Sequence, residues 1–137
     1  MNEKLEKYTA RALFLHGEAL HDDGGIQGVK KGCVEGIVGN ALNATAYYSA
    51  DGEGFDIIVF SAYGFYYLIK DHCFSDGNKR TAWMFLIDGI QEDNFELDAD
   101  TDVGAAFCRK VIDNEMTFED ILLWISSRII PCEELVT

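Results

Sequence analysis

Residues Phe55 to Asp71 read FDIIVFSAYGFYYLIKD and form the strongest apolar run of the chain. Apolar side chains occupy nearly every position, so the segment lacks the polar face of a surface helix. Its β-branched and aromatic residues leave a buried strand open as an alternative, but the length of the run favours a helix. The sequence therefore predicts a central helix that the rest of the domain surrounds.

Helical patterns flank this segment on both sides. An apolar stripe from about Glu3 to His21 predicts a first helix, which the DDGG stretch ends because glycine terminates helices readily. Turn-forming residues between Tyr47 and Phe55 predict a short flap or hairpin. The other predicted helices are Cys33 to Ala41, Asn78 to Asp93, Asp98–Asp102 to Asn114, and Phe118 to Ile130 behind a Thr117–Asp120 capping box. Together they predict an all-α fold, a single compact domain of about six helices over residues 1–137.

Composition narrows the classes of partner. With 24 acidic and 11 basic residues, the chain carries a formal charge of −13, which repels nucleic acid and anionic membranes. The charged N-terminus lacks the pattern of a signal peptide, and no apolar run reaches the roughly 20 residues that span a bilayer. The four cysteines form no C-x-x-C pair, so we expect reduced thiols and a cytoplasmic location.

The segment directly after the central run, HCFSDGNKR at residues 72–80, carries the chemistry. Asp76 and Gly77 supply a tight turn, and a new helix begins near Asn78. The N-terminus of a helix presents unpaired N–H groups and positive potential, which together bind phosphate. Lys79 and Arg80 are unfavourably placed in that first turn unless an anion is bound there. The segment therefore predicts an anion-binding loop.

Two further residues of the loop suit catalysis. His72 has an ordinary pKa near 6.5 and could accept a proton from a hydroxyl group. Asp76 offers the hard carboxylate that holds Mg²⁺ together with phosphate oxygens. Each residue alone would more often be a plain turn, surface or structural residue. Their combination at one helix start favours a functional site.

The loop resembles the signature of the Fic/Doc family. That signature has a histidine, a phenylalanine two residues later, an acidic residue, glycine or alanine, asparagine, lysine or glycine, and arginine. The stretch LHGEALHDDGGIQGVKKG and the closing TFEDILLWISSRI are also similar to Doc-like (death-on-curing) members. The resemblance covers residues 12–130. It implies a helical enzyme that uses ATP and Mg²⁺ to modify a Ser or Thr hydroxyl of a target protein, such as a translation factor, and that an antitoxin protein inhibits.

The resemblance also implies roles for the loop residues. His72 would be the general base, Phe74 would anchor the loop and Asp76 would hold Mg²⁺. Nucleotide phosphates would be bound by Gly77, Asn78, Lys79 and Arg80. The flap would align the target protein.

Lysine at position 79, where AMP-transferring Fic enzymes have glycine, is similar to Doc and implies transfer of the terminal phosphate. AMP transfer by the same loop is the alternative, and a catalytically silent binding module is another.

Cys73 beside His72 allows a cysteine nucleophile, which we disfavour because adjacent residues rarely face each other. The letters of an inhibitory S/T-x-x-x-E-G/N helix at Ser49–Gly54 are attributed to chance, and His16 is interpreted as a structural histidine.

Overall fold

The protein is represented by a computed structural model that describes residues 2–48 and 55–132. Within those ranges it contains six helices and one antiparallel pair of strands, which confirms the predicted all-α fold. None of these helices combines the length and hydropathy that a bilayer-spanning segment needs. The elements are α1 (Glu3–Asp23), α2 (Cys33–Tyr48), α3 (Ile57–Asp71), α4 (Asn78–Glu92), β1 (Phe95–Leu97), α5 (Thr101–Ile112), α6 (Phe118–Ser126) and β2 (Ile129–Pro131).

Helix α3 is the central element, as its sequence predicts. It packs against α2, α4, α5 and α6, and the side chains of Phe60, Phe65 and Leu68 are at most 1% exposed. The carboxylate of Asp56 caps its first turn. A helix satisfies its own backbone polar groups, whereas a buried strand at this position would need neighbouring strands. The strand alternative is therefore wrong.

Two glycines bring α3 and α4 into close contact. Gly64 of α3 lies against the ring of Phe85, and Gly89 of α4 lies against the hydroxyl group of Ser61. A Cβ atom at either glycine would overlap these neighbours, so larger residues would push the helices apart. Because residues 72–77 join these two helices, their close packing fixes both ends of that connection.

Helix α2 is longer than its sequence predicts. It continues past Ala41 to Tyr48, and Thr45 is buried in this extension with its hydroxyl group donating to the Ala41 carbonyl oxygen at 2.7 Å. Burial against the core outweighs the weak strand preference of the tyrosines at its end. The start of the flap predicted from Tyr47 to Phe55 is therefore helical. Residues 49–54 of that flap, with the letters of the inhibitory motif, lie outside the described residues.

The last helix is shorter than predicted. Helix α6 begins with the expected capping box, in which Thr117 and Asp120 exchange side-chain and backbone hydrogen bonds. It ends at Ser126 rather than Ile130, because residues 129–131 form β2 and pair with β1. Strands of three residues have no readable periodicity, so neither is foreseen from the sequence.

A disulfide bond joins Cys33 to Cys73, so the prediction of four reduced thiols is wrong. Cys33 is the first residue of α2, and Cys73 follows the end of α3 by two residues. The packing of α2 along α3 brings their Cα atoms to 5.5 Å, an ordinary separation for a disulfide. Cys108 and Cys132 are free thiols.

Candidate active site

The connection between α3 and α4 reverses the chain within six residues, from 72 to 77. His72 is the C-cap of α3 and has a left-handed backbone conformation with φ of 52°, and α4 begins after Gly77, which has φ of 80°. Glycine adopts positive φ without steric cost, whereas another residue there costs roughly 1–2 kcal/mol. The His72 side chain is exposed at this turn, so its imidazole is open to a ligand.

The side chain of Asn78 closes this connection into a ring. Its Oδ1 atom accepts the N–H of Phe74 at 3.0 Å, and its Nδ2 atom donates to the Phe74 carbonyl oxygen at 2.8 Å. Phe74 is 3% exposed, as suits its predicted role as the loop anchor. The Asn78 amide is thus engaged within the loop. Its backbone N–H and the second hydrogen of Nδ2 are the donors that Asn78 could offer to an anion.

Replacing Asn78 with alanine is expected to lower the free energy of unfolding by about 1–3 kcal/mol, because both polar backbone groups of Phe74 lose their partner. Asn78→Asp should also lower stability, since its carboxylate can accept the Phe74 N–H but its second oxygen would face the Phe74 carbonyl oxygen. Urea denaturation measures both. Asn43→Ala on the exposed side of α2 is the matched control and should be near neutral. Equal stability of Asn78→Ala and the wild type would show that the ring does not hold the loop.

The start of α4 has the features of an anion-binding position. Gly77 occupies its N-cap and, as a glycine, has no side chain that could cap the first-turn N–H groups. The first-turn N–H groups have no acceptor within the helix, and the macrodipole places positive potential there. A phosphate group can satisfy both.

The carboxylate of Asp76 is held beside this helix start by backbone groups. Its Oδ1 atom accepts the Gly77 N–H at 2.9 Å, and its Oδ2 atom accepts the Ile26 N–H at 3.3 Å. Both oxygens retain acceptor capacity, and the residue is exposed. Across residues 2–48 and 55–132, no three acidic, histidine or cysteine side chains gather as a metal-binding group. Mg²⁺ bound with phosphate oxygens and water needs only one or two carboxylates, so Asp76 fits it.

The glycine-rich loop between α1 and α2 packs directly onto this connection. The Ser75 N–H donates to the Gly28 carbonyl oxygen at 3.0 Å, and the Lys30 N–H donates to the Cys73 carbonyl oxygen at 2.8 Å. A Cβ atom at Gly25 would lie 2.9 Å from Asp76 Oδ2, and one at Gly28 would overlap the Ser75 hydroxyl. The spaced glycines of the GGIQG stretch are the sequence feature from which a close approach of another backbone segment could have been predicted.

His16 of α1 lies beneath the connection. It is 8% exposed, its Nε2 atom is 2.9 Å from the Asp76 carbonyl oxygen, and its ring stacks on Phe74 at a centroid distance of 3.7 Å. It is a buried, hydrogen-bonded histidine, as expected. Its position under the loop is not evident from spacing, because 60 residues separate it from Asp76.

Lys79 and Arg80 are exposed and line a cleft of about 310 Å³ between α4 and α5. Trp83 contributes an aromatic wall, and the other lining residues are Thr101, Gly104, Ala105 and Cys108. His72 and Asp76, both described, are not part of this lining. The predicted site residues therefore border the α4 N-terminus from different sides, with the two cations towards α5 and Asp76 towards the glycine-rich loop.

The cysteines near the site are poorly suited to nucleophilic chemistry. The sulfur of Cys73 is bonded to Cys33 and has no thiolate form in this structure, so the alternative of a Cys73 nucleophile is not supported. Burial raises the pKa of the Cys108 thiol to about 11, although the nearby charge of Lys79 acts to lower it. Cys108 is therefore protonated at neutral pH.

The sequence profile of the Fic/DOC family matches residues 8–88, more than half of the chain. The chain therefore belongs to the Fic/DOC family. Its members are usually transferases that modify other proteins. The match spans the glycine-rich loop, the central helix α3 and the whole connection to α4. A comparison with curated proteins finds no match.

Proposed function

We propose that this protein is a Doc-like, toxin-type kinase that transfers the γ-phosphoryl group of ATP to a Ser or Thr hydroxyl of a target protein. The observation that carries the proposal is Lys79, a cation in the first turn of α4 at the edge of a cleft. In a chain with a net charge of −13, a lysine placed against the macrodipole at a helix start suits a bound polyphosphate.

In this mechanism the target hydroxyl oxygen attacks the γ-phosphorus, and the bond from that phosphorus to the β–γ bridging oxygen breaks. The hydroxyl proton passes to the imidazole of His72, and ADP leaves with the electrons of the broken bond. Lys79, Arg80 and the N–H groups at the start of α4 stabilise the charge on the transferred group. Mg²⁺, which Asp76 would hold, would neutralise phosphate charge.

Lys79 separates this reaction from AMP transfer, in which the α-phosphorus is attacked instead. A lysine side chain occupies space beside the helix start that glycine would leave open, and it adds a charge there. A different phosphate of ATP is therefore presented to His72. The remaining loop residues serve either reaction, so AMP transfer stays the second candidate.

The test is incubation with Mg²⁺ and ATP labelled at either the γ or the α phosphorus, with cell lysate as the source of targets. We expect protein-bound label from γ-labelled ATP only. Label retained from α-labelled ATP would overturn the kinase assignment in favour of AMP transfer. Absence of label from both, with intact ATP binding, would favour a silent binding module.

The expected partners follow from the same proposal. The target is a protein with an accessible hydroxyl side chain, such as a translation factor, and a separate antitoxin protein would inhibit the enzyme. The acidic surface disfavours nucleic acid as a partner. We place the activity in the cytoplasm, where ATP and such targets are found, although a disulfide such as Cys33–Cys73 is uncommon in that compartment.

A further inference from the structure

His16 contacts two parts of the active-site connection at once. Its ring stacks on Phe74 with an angle of 9° between the planes, and its Nε2 atom lies 2.9 Å from the carbonyl oxygen of Asp76. A carbonyl oxygen can only accept a hydrogen bond, so Nε2 carries the hydrogen that His16 donates. The histidine therefore provides both apolar packing and a directed hydrogen bond.

The hydrogen bond from His16 fixes one particular peptide group. The carbonyl of Asp76 and the N–H of Gly77 belong to the same planar unit, and that N–H donates to Asp76 Oδ1 at 2.9 Å. Holding the oxygen at one side of the plane thus directs the N–H at the other side towards the carboxylate. Gly77 has φ of 80°, and glycine offers little steric resistance to rotation of this peptide. His16 supplies the restraint that glycine lacks.

We propose that His16 is a positioning residue, which holds the 76–77 peptide so that the Asp76 carboxylate is aimed at the start of α4. The inference rests on the proposed function for its catalytic consequence, since Asp76 is there the metal-binding residue. The restraint that His16 places on the 76–77 peptide is a property of the chain and does not depend on the proposed reaction. The Ile26 N–H, which donates to Asp76 Oδ2, secures the other carboxylate oxygen and should respond to the same restraint.

Substitutions can separate the hydrogen bond from the packing. His16→Phe keeps an aromatic ring against Phe74 but removes the donor, whereas His16→Gln can place an N–H group near the position of Nε2. His16→Met, an unbranched side chain without a donor, gives a second comparison with glutamine if the phenylalanine variant does not fold. His21→Phe, at an exposed position of the same helix, is the matched control.

The first measurement is the amide spectrum of ¹⁵N-labelled protein without nucleotide, which does not depend on any reaction. We expect the Gly77 and Ile26 amide hydrogens to exchange faster in His16→Phe or His16→Met. In His16→Gln and His21→Phe their exchange rates should stay close to the wild-type values. Unchanged amides in a folded variant that lacks the donor would overturn the proposal.

The second measurement is the Mg²⁺ dependence of label transfer from ATP. Loss of the donor should raise the Mg²⁺ concentration for half-maximal rate by about tenfold, the order expected for one lost positioning hydrogen bond, and glutamine should restore most of it. A purely structural residue would change stability without this shift, and that result would overturn the positioning role. If the wild type transfers no label while the amides respond as expected, the proposed function fails and the geometric inference stands.

Discussion

His72→Ala is expected to lower the rate of protein labelling by about 10²–10⁴-fold, the usual contribution of a general base. In the proposed mechanism the imidazole at the end of α3 accepts the hydroxyl proton, and its side chain is exposed. Initial rates with saturating labelled ATP and lysate protein measure the effect. The affinity for ATP should change far less, because the proposed mechanism assigns His72 to the hydroxyl group and not to the phosphates.

A second variant is needed because His72 has a left-handed backbone conformation. Its φ of 52° is unfavourable for alanine, so His72→Ala could also disturb the turn. Asparagine tolerates the left-handed conformation better and cannot serve as the base. His72→Asn should therefore lose as much activity as His72→Ala while keeping wild-type stability. His21→Ala is the control for histidine removal, and activity of His72→Asn within threefold of wild type would contradict the mechanism.

Breaking the Cys33–Cys73 disulfide is expected to lower the free energy of unfolding by about 4 kcal/mol. The two residues are 40 positions apart, and closing a loop of that length removes this much chain entropy from the unfolded state. For a domain whose total stability is about 5–15 kcal/mol, the loss is large. Urea unfolding with and without a reducing agent measures it.

A Cys33→Ala/Cys73→Ala variant provides the control for this prediction. It should match the reduced wild type in stability and show no further response to the reducing agent. Thiol titration of the unreduced, denatured wild type should find the two free cysteines, Cys108 and Cys132. Four reactive thiols, together with a free energy of unfolding that is the same with and without the reducing agent, would show that the bond does not form in solution.

The helices could be predicted from the sequence because the residues that determine them lie close together along the chain. The apolar run of α3, the capping box of α6 and the glycine that precedes α4 each depend on residues within a few positions of one another. The 72–80 loop was found for the same reason. The roles of the loop residues come from the resemblance to the Fic/Doc family. Those roles remain predictions.

The features that escaped prediction depend on distant parts of the chain. The Cys33–Cys73 bond and the contact of His16 with Asp76 arise from the packing of whole helices. The length of α2 depends on the burial of Thr45 in the core. No spacing rule encodes such contacts, and the glycines of the GGIQG stretch were interpreted only as the end of the first helix.

The ring that Asn78 closes around Phe74 has a consequence for ligand affinity. Fixing a flexible residue costs about 1–2 kcal/mol of conformational entropy, and here residues 74–78 are ordered by internal hydrogen bonds before any ligand arrives. Phosphate contacts therefore need not offset that cost and appear directly as binding strength. In this sense the loop is preorganised, and the nucleotide of the proposed function would meet a surface whose shape is already fixed.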